Sequence, residues 1–312
     1  MTDVFRAPAR ALVSLGTNTV RLLVVRMDPD GPCELEHRAV GTRLGEGLGD
    51  RGMLASAAIE RTSNAITDFV DCAREYGAEI RCIATSAVRR AQNVAEFRDH
   101  VRALTDAPLE VLSGSDEARL GFLGATSSRT GDERIGVIDI GGGSTECAVG
   151  RPQSFENAVS LEIGTVRMIE RHPALVGNDG SPAARRAAQV AADEARSTLA
   201  SVTSLRDVDL LLGVAGTPLT LGAIGWGSDV EKVRGKSLDR GMIGVTLDCL
   251  LACSLEERKA LPGMIAERAD VLAAGAILLD ACCEAFGRDS LTLESDDLLL
   301  GAILEEASVK SA

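Results

Sequence analysis

An apolar run that stops at three consecutive glycines leaves a chain few ways to fold, and residues Gly136 to Glu146, GVIDIGGGSTE, contain one. Val137, Ile138 and Ile140 read as a buried strand, and Gly141, Gly142 and Gly143 break it. Lacking Cβ atoms, these glycines are expected to take positive φ and to turn their N–H groups into a concavity that suits phosphate oxygens, with Ser144 as a further donor. Asp139 at the strand end and Glu146 in the next strand set two carboxylates beside it. Carboxylates at the rim of a phosphate pocket call for a hard divalent cation, most simply Mg²⁺.

A glycine-rich turn by itself commonly does no more than connect two strands. This one occurs twice. Ala11 to Val25, ALVSLGTNTVRLLVV, is again strand, glycine turn and strand. Superposed on the first stretch, Gly16 falls on Gly141, Thr19 on Ser144 and Ser14 on Asp139. Each half of the chain therefore opens on a β-hairpin whose turn suits phosphate, with Thr17, Asn18 and Thr19 as donors in the first. Thr and Asn in tight turns also satisfy their own backbone, which is the plainer explanation for them.

Composition narrows the functions open to such a fold. At 312 residues there is chain enough for two cores, and 45% hydrophobic with 25% charged residues is ordinary for a globular protein. No run approaches the ~18 apolar residues of a membrane span, and MTDVFRAPAR lacks a leader's apolar segment, so a cytoplasmic protein without a membrane partner is expected. A net charge of −13 disfavours nucleic acid as partner and repels polyanions at long range, so a phosphate-rich substrate has to be held by local N–H groups, arginines and metal. The eight cysteines include no C-x-x-C pair and are expected to be reduced, mostly buried thiols.

In chain order the pattern alternates. A third strand is expected at Glu34 to Arg38, a glycine-rich loop at Arg43 to Leu48, and a helix from Ala57 to Tyr76 stopped by Gly77. Strands follow at Ile80 to Ala84 and Leu109 to Leu112, each leading into a helix. The second half repeats the hairpin from about Glu133, adds a strand at Phe155 to Ser160, a helix over Ser181 to Val202 and a buried strand at Val208 to Val214. A third turn, Gly213 to Leu221, contains Gly216 and Thr217. The remainder reads as helical, over Leu247 to Ala260, Ile265 to Phe286 and Asp297 to Ala307. Ser128 to Asp132 and Gly177 to Pro182 are the linker candidates. The apolar helix Ile265 to Phe286 offers a homodimer interface, and a buried core face accounts for it equally well.

LGTNTVRLL, ATSAVRRAQN, LSGSDEARLGFLGA, DIGGGSTE, SLEIGTVR, GVAGTPLTL and LPGMIAERADVLAAGAILL occur in an order that resembles the Ppx/GppA family of exopolyphosphatases and guanosine pentaphosphate phosphohydrolases. The resemblance implies an α/β fold of two duplicated actin-like (ribonuclease H-like) domains with an interdomain cleft, residues 1–128 and 129–312, the last helix packing back on the first. It implies release of phosphate from inorganic polyphosphate or from pppGpp. Glu117 matches the catalytic base of the family and Arg89 the arginine on the phosphoryl group, whereas Arg90 is expected to be a solvated helix residue. Asp139 and Glu146 match the acidic pair of a Mg²⁺ site, and Gly216 and Thr217 are expected to touch the substrate from a third side. For Glu117 the plain alternative is a first-turn acid favoured by the helix dipole.

Two positions depart from the family pattern. Ser14 stands where an aspartate is usual, and SDDLLLG from Ser295 lacks a basic residue. With one Trp and one Tyr, no aromatic shelf for a guanine ring is evident, which favours polyphosphate; the acidity favours short chains. A small-molecule kinase of the same fold and a non-catalytic polyphosphate or alarmone sensor, the latter suggested by Ser14, are the alternatives.

Overall fold

The computed structural model describes residues 8–152, 154–177 and 180–311. The extreme N-terminus, on which the expectation of no leader rests, and part of the linker candidate at Gly177 to Pro182 lie outside the described residues. No described helix is long and apolar enough to cross a membrane. The chain forms two compact units, Met1–Ser113 with Ala302–Ala312, and Gly114–Gly301.

In the first unit β1 (Ala9–Leu15), β2 (Thr19–Asp28) and β3 (Gly31–Gly41) form an antiparallel meander. The short α1 (Leu48–Arg51) and the long α2 (Ser56–Glu75) follow, then β4 (Glu79–Ala84), which joins β1 in parallel. One face of α2 packs inward through Ile66, Phe69, Val70 and Ala73. It ends as expected: Gly77 adopts φ 61°, its N–H bonds to Arg74 O, and the Ala78 N–H reaches Ala73 O. The helix expected after β4 is two, α3 (Ser86–Arg90) and α4 (Val94–Thr105), broken by extended backbone at Ala91. β5 (Leu109–Val111) completes the sheet, in the order β3-β2-β1-β4-β5.

The second unit begins with α5 (Gly114–Thr126) and repeats the plan with β6 (Ile135–Ile140), β7 (Thr145–Arg151) and β8 (Ser154–Leu161). After α6 (Thr165–Arg171) and α7 (Pro182–Thr198), β9 (Leu210–Val214) joins β6 in parallel and runs into α8 (Gly216–Trp226). β10 (Ser237–Asp239), α9 (Arg240–Ala252), α10 (Leu255–Lys259), α11 (Leu272–Phe286), β11 (Ser290–Glu294) and α12 (Leu298–Ser311) complete the chain. Read from the other edge, the order is β8-β7-β6-β9-β11-β10. Its first five strands match those of the first unit in order and direction, which is the duplicated two-domain actin-like α/β fold.

Several boundaries differ from the sequence reading, each for a packing reason. The last third is not wholly helical, because β11 lies parallel to β9 and β10 pairs with β11. SLTLE is too short to declare itself; its neighbours in the sheet make it a strand. The helix expected over Leu247 to Ala260 is split by extended backbone at Cys253. The one expected from Ile265 begins at Leu272, and the one expected to Val202 gives way to 3₁₀ geometry after Thr198.

The division between units falls before α5 rather than near residue 128. Ala118, Phe122 and Ala125 of α5 share a core with Ile135, Val137, Ala148, Leu212 and Val214, so Ser128 to Asp132 is a connection within the second unit. Almost all of α11 is buried in the core of its own unit, which leaves it no apolar face to offer a second copy.

Candidate active site

The two predicted turns share one backbone design. β1 and β2 last pair at Leu15–Val20, and β6 and β7 at Ile140–Thr145. In the first turn the Gly16 N–H donates to Thr19 O at 3.1 Å; in the second the Gly141 N–H donates to Ser144 O at 3.0 Å. The expectation of positive φ is corrected: none of these turn glycines has it. Close approach constrains Gly16 and, beside the second turn, Gly164. A Cβ on Gly16 would stand 2.7 Å from Thr19 O, and one on Gly164, in the loop before α6, would stand 2.6 Å from Gly142 O and from Gly143 N.

The α6 N-terminus secures the second turn, with the Thr165 N–H donating to Gly141 O and the Val166 N–H to Gly142 O. Orphan donors of a helix start thereby consume turn carbonyls. Among the described residues no acceptor is found for the N–H groups of Gly142 and Gly143, nor for those of Thr17 and Asn18 in the first turn. An anion-binding concavity needs donors left over in this way.

Glu146 sits beneath the second turn and is 4% exposed. Ser160 Oγ donates to its Oε1 at 2.8 Å, and the Ser144 hydroxyl also bonds to it, so Ser144 faces the carboxylate. Burial is the main cause pushing the Glu146 carboxyl well above its usual range; the negative charges of Glu117 and Asp139 push the same way, against the two hydroxyls. The three carboxylates are thus within electrostatic reach of one another. Asp116, in the same helical turn as Glu117, lies instead beside Arg119 at 3.7 Å on the helix surface.

A buried carboxylate with acidic neighbours has the chemistry of a divalent-cation site. Among the described residues no three His, Cys, Asp or Glu side chains are gathered closely enough to hold an ion alone. Mg²⁺ takes one or two carboxylates and fills its remaining positions from water and phosphate oxygens, a requirement that the chemistry of Asp139 and Glu146 would meet.

The raised pKa has a thermodynamic consequence for metal-free protein. Because Glu146 keeps its proton longer in the folded state than when unfolded, it lowers stability as pH rises from about the ordinary Glu value of 4.5 through the folded value. In chelator, Glu146→Gln is therefore expected to raise the unfolding temperature relative to wild type, by a margin that widens towards neutral pH. Thermal melts across that range check it, and equal curves at every pH would contradict it.

The third turn enters α8 through Ala215, at φ 63° and ψ −169°. Only glycine adopts this conformation without strain, and other residues pay ~1–3 kcal/mol. Ala215→Gly is expected to stabilise the fold by about 1 kcal/mol after the entropy that glycine adds to the unfolded chain. Urea unfolding reads it, and a lower midpoint would refute it. Thr217 is 2% exposed and its hydroxyl donates to Ile140 O at 3.0 Å, so the side chain ties this turn to the end of β6. Beside it is a residue that the sequence reading missed. The Arg268 guanidinium lies directly on Gly216, where any Cβ would collide with it. No local pattern marks Arg268, since the loop that carries it meets α8 only through tertiary folding.

In the first unit the turn carbonyls are also occupied: Asn18 O accepts from the Thr42 and Arg43 N–H groups, and Thr17 O from that of Gly45. Gly45 packs so closely on Thr17 and Ala87 that the loop, the turn and the start of α3 meet. Thr19 is partly exposed beside them. The Asn18 side chain is 6% exposed and its Oδ1 and Nδ2 have no partner among the described residues; the same holds for Ser86 Oγ. Buried polar groups are rarely left so, which makes them candidates for water or ligand. Arg89 donates through Nη1 to Leu112 O at 2.9 Å, and Arg90 is half-buried rather than fully solvated. Ser14 is buried in β1 at 2% exposure.

Residues 23–307 match the Ppx/GppA phosphatase family. The chain is 31% identical over 317 residues to exopolyphosphatase 2 of Mycobacterium tuberculosis, covering 95% of this chain and 98% of that one. It is 31% identical over 310 residues to a bifunctional 3-dehydroquinate synthase/phosphatase of Fusobacterium nucleatum, covering 95% of this chain but 46% of the other. With the guanosine-5'-triphosphate,3'-diphosphate pyrophosphatase of Aeromonas salmonicida, identity is 29% and coverage 95% and 59%. This chain thus spans about half the length of two of these relatives and nearly all of the third. Among solved structures, the Aquifex aeolicus member of the family superposes with a TM-score of 0.80 at 26% identity, covering 97% of this chain and 99% of that one. An exopolyphosphatase-like protein gives 0.87 at 28%, covering 96% and 99%. The chain belongs to the Ppx/GppA phosphatase family.

Proposed function

We propose that this protein hydrolyses terminal phosphoanhydride bonds, releasing inorganic phosphate from short inorganic polyphosphate in preference to pppGpp. The observation that carries the reading is the buried Glu146, under the charges of Glu117 and Asp139, beside a turn whose Gly142 and Gly143 N–H groups have no acceptor among the described residues. Relatives named exopolyphosphatase 2 and guanosine-5'-triphosphate,3'-diphosphate pyrophosphatase support the reaction class.

In this reading Glu117 orients a water and takes its proton as the water oxygen attacks the terminal phosphorus; the bridging P–O bond breaks and the shortened chain departs. Asp139 and Glu146 would hold Mg²⁺, which when bound would supply positive charge to the phosphoryl oxygens. Within the second unit Gly142 and Gly143 offer N–H donors and Arg268 offsets phosphate charge; within the first, Thr17 and Asn18 offer N–H donors and Arg89 a guanidinium. A net charge of −13 disfavours nucleic acid and anionic membranes as partners.

The aromatic residues favour polyphosphate. Trp226 lies at the far end of the 11-residue α8 from Gly216, under Lys236 at 5.0 Å, and Tyr76 is hydrogen-bonded to Glu36 beyond α2. The test is phosphate release with Mg²⁺ from tripolyphosphate, long polyphosphate and pppGpp. Tripolyphosphate is expected to give the highest kcat/KM. A higher value for pppGpp would reverse the substrate order, binding without release would leave a sensor, and ADP formation with an added acceptor would indicate a kinase.

A further inference from the structure

Among the described residues Arg258 is the largest fully buried side chain, with 0% exposure; the charge of Asp270 reaches it, but its hydrogen bonds go to main-chain carbonyls. A buried guanidinium is costly, so what it holds matters. Its Nε donates to Leu250 O at 2.6 Å, in the last turn of α9, where helix carbonyls have no intrahelical donor. Its Nη1 donates to Leu175 O at 2.9 Å and makes a longer approach, 3.5 Å, to Ala269 O. One side chain thereby gathers the end of α9, the 3₁₀ turn Pro173–Leu175 and the residue that follows Arg268. It is itself held in place by α10, whose start is locked by a reciprocal cap: the Glu257 N–H donates to Ser254 Oγ, and the Ser254 N–H to Glu257 Oε2 at 2.8 Å.

The loop between α10 and α11 has a second anchor. Gly263, at φ 83°, lies so close to α8 that a Cβ there would stand 2.6 Å from Ala223 O and 2.7 Å from Ser228 O. Between this anchor and Ala269, the Ala266–Arg268 turn delivers the Arg268 guanidinium onto Gly216.

We propose that Arg258 is a positioning residue that sets Arg268 over the third turn by holding the backbone at Ala269 and the segments on which that loop rests. The inference rests on the proposed phosphohydrolase reading for its kinetic consequence, but not for its structural one. Arg258→Met removes the donors while keeping an unbranched side chain, and Arg258→Lys keeps the charge but cannot span several carbonyls.

Two readouts test it. Trypsin cleavage after Arg268, followed by mass spectrometry well below the unfolding temperature, is expected to be about tenfold faster in Arg258→Met than in wild type, because a released loop opens locally. Cleavage at the other arginines should keep its wild-type rate. KM for tripolyphosphate is expected to rise about tenfold or more in Arg258→Met and in Arg268→Ala, with the double variant no worse than Arg268→Ala alone. Gly216→Ala provides a variant outside the loop. It displaces only the flexible end of Arg268, so it should raise KM while leaving the unfolding temperature unchanged.

If Arg258→Met does not fold, Arg258→Lys takes its place with the same expected direction. Additive KM effects, or a lowered unfolding temperature with wild-type KM and wild-type cleavage at Arg268, would overturn the proposal. Absence of phosphatase activity in the wild type would defeat the hydrolase reading alone, and the cleavage rate at Arg268 would still decide the positioning role.

Discussion

Glu117→Gln is expected to reduce phosphate release by about 10²–10⁴-fold, the range that a positioned general base supplies. Glu117 stands in the first turn of α5, where the helix dipole favours any acid, so position alone does not distinguish it from Asp116. Electrostatics does. Glu117 acts on the buried Glu146, whereas Asp116 lies beside Arg119 on the helix surface. Asp116→Asn is therefore the control, and near-wild-type turnover is expected from it. The glutamine also removes a negative charge from beside Glu146, so the unfolding temperature of Glu117→Gln should not fall. Single-turnover rates with saturating Mg²⁺ separate loss of chemistry from loss of binding. A variant that keeps most of the wild-type rate would remove Glu117 from the mechanism.

Gly164→Ala is expected to cost about 3 kcal/mol and to abolish activity in whatever protein remains folded. Gly164 has φ −151° and ψ 173°, extended backbone that alanine adopts freely, so the effect is wholly steric. The added Cβ would meet Gly142 C at 2.5 Å and Gly143 N at 2.6 Å. Both are main-chain atoms that no rotamer change can move, and the turn is held from the same side by α6 through Gly141 O and Gly142 O. Relief requires shifting the turn with its free N–H groups, or withdrawing the start of α6. Gly121→Ala, on α5 with open space around the new Cβ, is the matched control. Denaturant unfolding of the two variants and their phosphate release would decide the matter. Wild-type stability in Gly164→Ala would mean that the turn is pliable and is not a preformed anion site.

The duplicated strand-glycine-strand stretches around Gly16 and Gly141 determined the fold. Two hairpins with a common turn, each followed by alternating helices and strands, fold as two sheets of the same order, because strand alternation and glycine breaks are local properties of the chain. Glu146, Asp139, Asn18 and the 141–144 turn were legible for the same reason, since residues flanking a break necessarily end up beside it.

What needed the tertiary structure concerns groups brought together from distant parts of the chain. That the backbone of the 141–144 turn lies against Gly164, a residue more than twenty positions away, and that none of the turn glycines has positive φ, came only from the folded chain. The strand at Ser290–Glu294 exists because β9 lies beside it, and α5 belongs to the second unit because Phe122 and Ala118 pack on that sheet. Arg268 over Gly216, and Arg258 beneath the loop that carries it, have no sequence signature. Arginine is ordinarily a surface residue, and its place against a turn or in a core is fixed by which carbonyls and which glycine the folded chain presents to it.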